Sequence, residues 1–471
     1  MYKLFGLFSL LSIFFIASLS AESFEDFKKT QAQSFSNFKD SRDASFNDYL
    51  KQQFHEYNSL VSKPLYEHKK PKKIESLEPK KIKSVGPMVH IVVKPESKKI
   101  PKIVDVDNSK KDVKFDFFGE ELGFDIAKNM KTAQFYPQNQ EGISNFFTVL
   151  ASSEYGYLIK DIKKIKEKMR LNDWGIYLLV MKLGKTLYVS PDKSKLFSWF
   201  VFNKLGYDVK VGLAHKHIVM MHYSKKVIYS TPSYTFSKRK FYVVSQYAKG
   251  SVGRVYTYDK SYPKARKALD LSMDALPVFP NKMKRKTLFF KQYDKKYTIP
   301  FAYNQNLLDF MSTYPQADYS TFFNAPMENE TYDMVAKDIK RYIDGKKASV
   351  AMNFVLNFVQ NAFVYEVDEE QFGREKVMFA EETLCYDKSD CEDRAILFAY
   401  LIKKLFHVGV IGVKYKDHMA TALYIPMKGD SVRKGRKKYV IADPTYINAN
   451  IGMSMPKYKS IRPESFIVVH R

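Results

Sequence analysis

The stretch Tyr386-Asp387-Lys388-Ser389-Asp390-Cys391-Glu392-Asp393-Arg394-Ala395 decides the reading of the C-terminal part of the chain. An apolar run through Phe398, Leu401 and Leu405 follows it at helical spacing, so the stretch reads as a helix start. Ser389 with Glu392 three residues later has the form of a capping box. That places Cys391 in the first turn, where unpaired backbone N–H groups favour a thiolate. Downstream, Asp417-His418-Met419-Ala420-Thr421-Ala422 reads as a strand, and Lys438-Tyr439-Val440-Ile441-Ala442 as a second strand that ends at Asp443, just before Pro444. A thiol on a helix, an imidazole on a strand and a carboxylate to orient the imidazole are the parts of a nucleophile with its base. Each has a plainer explanation alone: a small buried hydrophobe, a structural histidine, a turn-opening Asp-Pro. Their order and settings together carry the argument.

From about Met352 to Pro456 the chain resembles the catalytic core of the transglutaminase-like superfamily, which shares its thiol chemistry with papain-type proteases. The matching pieces are Ser389-Asp390-Cys391-Glu392-Asp393-Arg394, Asp417-His418-Met419-Ala420-Thr421-Ala422 and Ala442-Asp443-Pro444-Thr445-Tyr446. The resemblance implies an α+β, papain-like C-terminal domain that acts on amide or peptide bonds through an acyl-thioester, as a peptidase, an amidase or an acyltransferase to amines. In it Cys391 is the nucleophile, His418 the base and Asp443 the group that holds the imidazole. The backbone N–H of Cys391 is expected in the oxyanion hole, with Gln360, on a helix from Ser349 to Phe363, as a second donor. That chemistry requires neither a metal nor an organic cofactor. The superfamily also includes members without activity, so a non-catalytic envelope scaffold is the alternative.

The first 21 residues carry one Lys, an apolar run from Leu4 to Leu19 and small residues at Ser18, Ser20 and Ala21. This is the form of a secretory signal cleaved near Ser20 or Ala21, which predicts a periplasmic or secreted protein. Nucleic acid is then not an expected partner, despite a net charge of +26. The only cysteines, Cys385 and Cys391, are expected as two free thiols, because a disulfide between them would mask the nucleophile.

Residues 22–62 hold an 11-residue repeat: Ser23-Phe24-Glu25-Asp26-Phe27, Ser34-Phe35-Ser36-Asn37-Phe38 and Ser45-Phe46-Asn47-Asp48-Tyr49. Aromatics at i and i+3 form one helical stripe, which reads either as a helix packed on its own protein or as an arm for self-association. Residues 63–112 read as a basic linker. Prolines at 64, 71, 79, 87, 95 and 101 stand among 14 Lys and 6 acidic residues between Lys63 and Lys111, a tether suited to anionic envelope surfaces.

The remainder divides into an α+β domain at 113–237, a β-rich module at 238–326 and the thiol domain at 327–471. The first and last share a faint duplication. Lys160-Asp161-Ile162-Lys163-Lys164 matches Lys337-Asp338-Ile339-Lys340-Arg341, and Ser190-Pro191-Asp192-Lys193-Ser194 matches Cys385-Tyr386-Asp387-Lys388-Ser389. The first copy lacks a Cys and is expected to be catalytically dead, with His217 in the place of His418. His215, His217 and His222 form a histidine cluster that lacks an evident fourth ligand, so no metal site is expected there.

Overall fold

The computed structural model describes residues 41–92, 111–244 and 252–470, and they form an α+β protein. The first 21 residues, expected as a secretory signal, and the first two aromatic repeats lie outside the described residues. Two sheets dominate. In the C-terminal one the strand order is Ser431–Lys434, Lys437–Ala442, Met419–Tyr424, Gly409–Lys414, Ser465–Val468, every neighbour antiparallel. In the N-terminal one the corresponding order is Pro232–Phe236, Arg239–Tyr242, His217–Tyr223, Val209–Ala214, Arg254–Thr257, again antiparallel throughout.

The likeness extends to the helices. Gly156–Lys168, Asp173–Leu187 and Pro191–Lys204 precede the first sheet, as Asn329–Ile343, Ala348–Asn361 and Cys391–Phe406 precede the second. In each unit the last of the three packs on the central hairpin. These last helices are buried nearly all round, which is why neither sequence shows a clean amphipathic stripe. Gly212 and Gly412 hold the same register position, two residues before the hairpin turn. A Cβ at Gly212 would meet Val255 and Thr257, and one at Gly412 would meet Phe323 and Ile467, so both sheets need a bare backbone where their last strand crosses.

The N-terminal sheet has two further strands from the start of the chain. His55–Asn58 pairs with Arg254–Thr257 at one edge, and Leu60–Val61 with Pro232–Phe236 at the other. These strands are nearly consecutive, so the two ends of the sheet come near each other, and Tyr57 packs on Phe236 of Pro232–Phe236 at a ring separation of 4.7 Å.

Two expectations need correction, and one open alternative is narrowed. The β-rich module at 238–326 is not a separate unit. Its first strands belong to the N-terminal sheet, its long hairpin Met283–Gln292/Lys295–Asn304 packs on helices Asn329–Ile343 and Ala348–Asn361, and Gln305–Ser312 and Tyr319–Asn324 are helical. Alternation marks strands without saying which sheet takes them. The third aromatic repeat lies on a helix, residues 41–52, with Phe46 buried against Phe147, Tyr258 and Tyr262, so that part of the stripe is covered within the chain. Residues 63–92 are no free tether. They form a strap across the C-terminal unit, fixed by backbone bonds from Leu77 N–H to Ile447 O, Ile447 N–H to Glu75 O, Val89 N–H to Lys346 O and Gly345 N–H to Val89 O. Proline spacing and lysine density describe an extended chain, and an extended chain can lie in a groove as well as in water.

Candidate active site

Asp390 caps the helix that begins at Cys391, and its own N–H donates to Asp393 Oδ2 at 3.2 Å. The reciprocal cap is therefore one residue later than the Ser389/Glu392 box read from the sequence. Ser389 instead serves Arg394, whose Nε donates to the Ser389 hydroxyl at 3.0 Å. The buried Arg394 guanidinium also donates to the carbonyls of Gln360 (3.1 Å) and Phe363 (2.8 Å), tying the thiol helix to the end of the preceding one.

His418 stands just before its strand, and its Nε2 lies 2.8 Å from Asp443 Oδ2 with both side chains buried. Asp443 Oδ1 accepts from the Thr445 N–H at 2.9 Å, so the carboxylate is held at both oxygens. The bond to Nε2 leaves Nδ1 as the imidazole nitrogen for proton exchange. Tyr458 stacks on the His418 ring at 4.8 Å, and burial followed by Asp417, Cys391 and Asp443 pushes its phenol well above the ordinary value, so one ring senses all three candidate residues. A groove of about 900 Å³ lined by Tyr415, Tyr458, Asp430, Arg433, Lys459 and Arg462 opens beside that stack.

Gln360 does not have the role expected of it. Its Nε2 donates to the carbonyls of Asp443 (3.1 Å), Tyr446 (2.7 Å) and Ala449 (3.1 Å), which commits both amide hydrogens. It holds the turn that carries Asp443 rather than offering a donor to an oxyanion. The Cys391 N–H remains, as a first-turn donor without an intrahelical acceptor.

The thiol itself is buried, at 0 % exposure. It donates to Glu392 Oε2 at 3.1 Å, and Tyr66 OH lies 3.7 Å from the sulfur and 3.0 Å from the same carboxylate oxygen. Burial, then Glu392 and Asp390, push the Cys391 thiol well above its usual value. The helix start was expected to favour the thiolate; here desolvation and two flanking acids outweigh the partial charge of the helix end. Cys385 is a separate free thiol, also pushed up by burial.

Beside the thiol lies an acidic pocket that sequence reading missed. Oxygens of Asp368, Glu375, Asp390 and Glu392 lie within 4.8 Å of one another, a donor set of the kind a divalent cation uses. The Nζ of Lys70, from the strap, fills its centre, at 3.1 Å from Asp368, 2.6 Å from Glu375, 2.9 Å from Glu392 and in hydrogen-bond contact with Asp390. Burial alone would lower the Lys70 ammonium and raise Glu392; the pair instead holds Lys70 well above its ordinary value and Glu392 at about 2. Burial and Glu392 raise Glu375 to about 8, and burial and Asp368 raise Asp393 to about 8, so the surplus carboxyls keep their protons. A signal was present: several acids around a buried thiol need a cation from elsewhere in the chain.

The N-terminal unit has none of these parts in place. Pro191 stands at its helix start, Val243 follows its strand Arg239–Tyr242 where Asp443 follows Ala442, and His217 pairs with Ala214 as Met419, not His418, pairs with Lys414. His217 Nδ1 contacts Asp192 Oδ2 at 3.0 Å, while His222 is buried alone among Tyr177 and Phe202, so the three histidines share no site.

No family model matches the chain, and no curated protein or solved structure is significantly similar to it.

Proposed function

We propose that the chain is an exported thiol enzyme of the transglutaminase-like kind that cleaves amide or peptide bonds through an acyl-thioester on Cys391, with envelope peptides, those of the cell wall among them, as its substrate class. The observation that carries this reading is the buried His418–Asp443 pair at the head of the hairpin on which the Cys391 helix packs. Cys391 attacks the carbonyl carbon, its proton passes through His418 to the leaving amine as the C–N bond breaks, and a second nucleophile releases the acyl group. Asp443 keeps the ring oriented, and the Cys391 N–H faces the developing oxyanion. Water fits better than an amine as that second nucleophile, because the acidic pocket beside the sulfur holds an amine as its non-nucleophilic ammonium. The N-terminal unit is then a relative of the same architecture without the chemistry, and the chain's basic surface a means of staying near anionic envelope polymers.

A second reading, a non-catalytic scaffold with the same architecture, is favoured by the protonated and covered state of the thiol. Hydrolysis of a fluorogenic peptide amide by the full chain, with an electrophilic peptide probe and mass spectrometry to locate the label, separates the two. Stoichiometric labelling at Cys391 and loss of turnover in Cys391→Ala are expected; turnover that survives in Cys391→Ala overturns the enzyme reading. Cell fractionation with N-terminal sequencing tests export, with a mature start just after Ser20 or Ala21 expected.

A further inference from the structure

We propose that the acidic pocket flanking Cys391 is a recognition site for an ammonium-bearing side chain, and that the strap seats its own Lys70 there as a tethered plug which a lysine-like group of a substrate or activating peptide displaces. This rests on the reading of Cys391 as the reactive thiol and adds its substrate chemistry and its control.

Three observations carry it. The pocket is built rather than incidental: Asp368, Asp390 and Glu392 are fully buried, and Oδ1 of both Asp368 and Asp390 has no hydrogen-bond partner. Carboxylates so enclosed are costly without a cation, and Lys70 is the cation they receive. The plug and the thiol are also joined through one side chain. Glu392 Oε1 accepts from Lys70 while Glu392 Oε2 accepts from both the thiol and Tyr66, four residues before Lys70 on the same strap. Whatever holds Lys70 in place therefore holds Tyr66 over the sulfur and a carboxylate on its proton.

The strap is also attached as a peptide ligand is. It is extended, and it bonds through its backbone: the His68 N–H to Lys416 O, the Pro71 carbonyl to Tyr365 OH at 2.7 Å, and the parallel bridge of Ser76 with Ile447. Backbone bonds give such a segment affinity without fixing its sequence, and the pocket supplies the one selective contact. A cavity of about 630 Å³ runs beside it, lined by Lys63, Leu65, Glu67, Tyr319 and Lys414, so the strap does not fill its channel. An incoming peptide that carries a primary amine meets the same backbone partners and the same four acidic side chains. The strap's tether gives it the advantage of high effective concentration, and a competing ligand must overcome that.

The test is the alkylation rate of Cys391 by iodoacetamide in the full-length protein, read peptide by peptide so that Cys385 is scored separately. Lys70→Gln is expected to raise the rate about tenfold or more, since the sulfur is otherwise reached only through local opening. Because Lys70→Gln leaves buried acids unpaired, Leu77→Pro serves as a second variant: it removes the N–H bonded to Ile447 O, loosens the strap away from the pocket and is expected to raise the rate by a smaller factor. A synthetic peptide of residues 62–74 should slow labelling of Lys70→Gln again, and the same peptide with norleucine at position 70 should not. Folded Lys70→Gln and Leu77→Pro proteins that label at the parental rate overturn the plug. Equal protection by both peptides, or protection by millimolar calcium or magnesium in place of the lysine peptide, overturns ammonium recognition. Fast labelling without amide turnover leaves the plug standing and counts against the enzyme reading alone.

Discussion

The N-terminal and C-terminal units have one strand order, the same three preceding helices and a matching glycine, yet their interiors differ in kind. Around the helix Pro191–Lys204 the buried neighbours are mostly rings: Trp199, Phe200 and Phe202 pack with Phe147, Tyr155, Tyr177 and Tyr207. Around the helix Cys391–Phe406 the first turn buries Cys391, Glu392, Asp393 and Arg394. The N-terminal helix start buries a single acid, Asp192, held by His217 and the Ile218 N–H, whereas the C-terminal one buries a thiol, two acids and an arginine, an expense beyond what the shared architecture requires. Buried ionisable groups kept at such cost mark a site.

The sharpest way to break this comparison is to remove the proposed chemistry from the C-terminal unit. Cys391→Ala and His418→Ala should each abolish amide turnover, while Pro191→Ala and His217→Ala leave it unchanged, as steady-state assays of the four variants would show. Next in size, Asp443→Asn should lower kcat by roughly 10²–10⁴-fold without loss of fold, because the imidazole keeps its place but loses its orienting charge. Gln360→Leu should cost less, roughly tenfold in kcat with a fall of several degrees in Tm, since three carbonyls of the Asp443 turn lose their donor. A Gln360 variant with full kcat would show that the turn is held by its other bonds.

What the sequence made legible follows from range. Cys391, His418 and Asp443 could be read because each sits at the junction of an element with local signals, a cap, a strand start and an Asp-Pro turn. The duplication could be read in part, because Lys160-Asp161-Ile162 and Lys337-Asp338-Ile339 fall on corresponding helices. The second matched pair was out of register, since Ser190 caps its helix as Asp390 does, while the match had set it against Cys385. Tyr66 and Lys70 were illegible because their partners lie about 300 residues away, and composition describes a segment's conformational preferences without saying what it touches. Gln360 was placed on the right helix and given the wrong partners for the same reason.

The smallest expected effects concern pH, and they set the two units in opposition. His222, in the N-terminal unit, is fully buried with both ring nitrogens unpartnered, and burial lowers it to about 3. Between pH 6.5 and 3 the unfolded chain binds a proton there that the native chain refuses, so stability falls as pH falls through that window. Glu381, in the C-terminal unit, accepts from the Glu328 N–H at 2.8 Å and from Thr331 Oγ1 at 3.1 Å, and burial raises it to about 7. Between pH 4.5 and 7 the native chain holds a proton that the unfolded chain has lost, so stability falls as pH rises. Thermal melts from pH 4 to 8 should show His222→Phe flattening the acid side and Glu381→Gln flattening the neutral side, each by a few degrees. If His222→Phe changes the alkaline limb, or Glu381→Gln the acid one, then the two units do not respond to protons separately, and the contrast between a ring-filled interior and a charge-filled one fails at its most sensitive point.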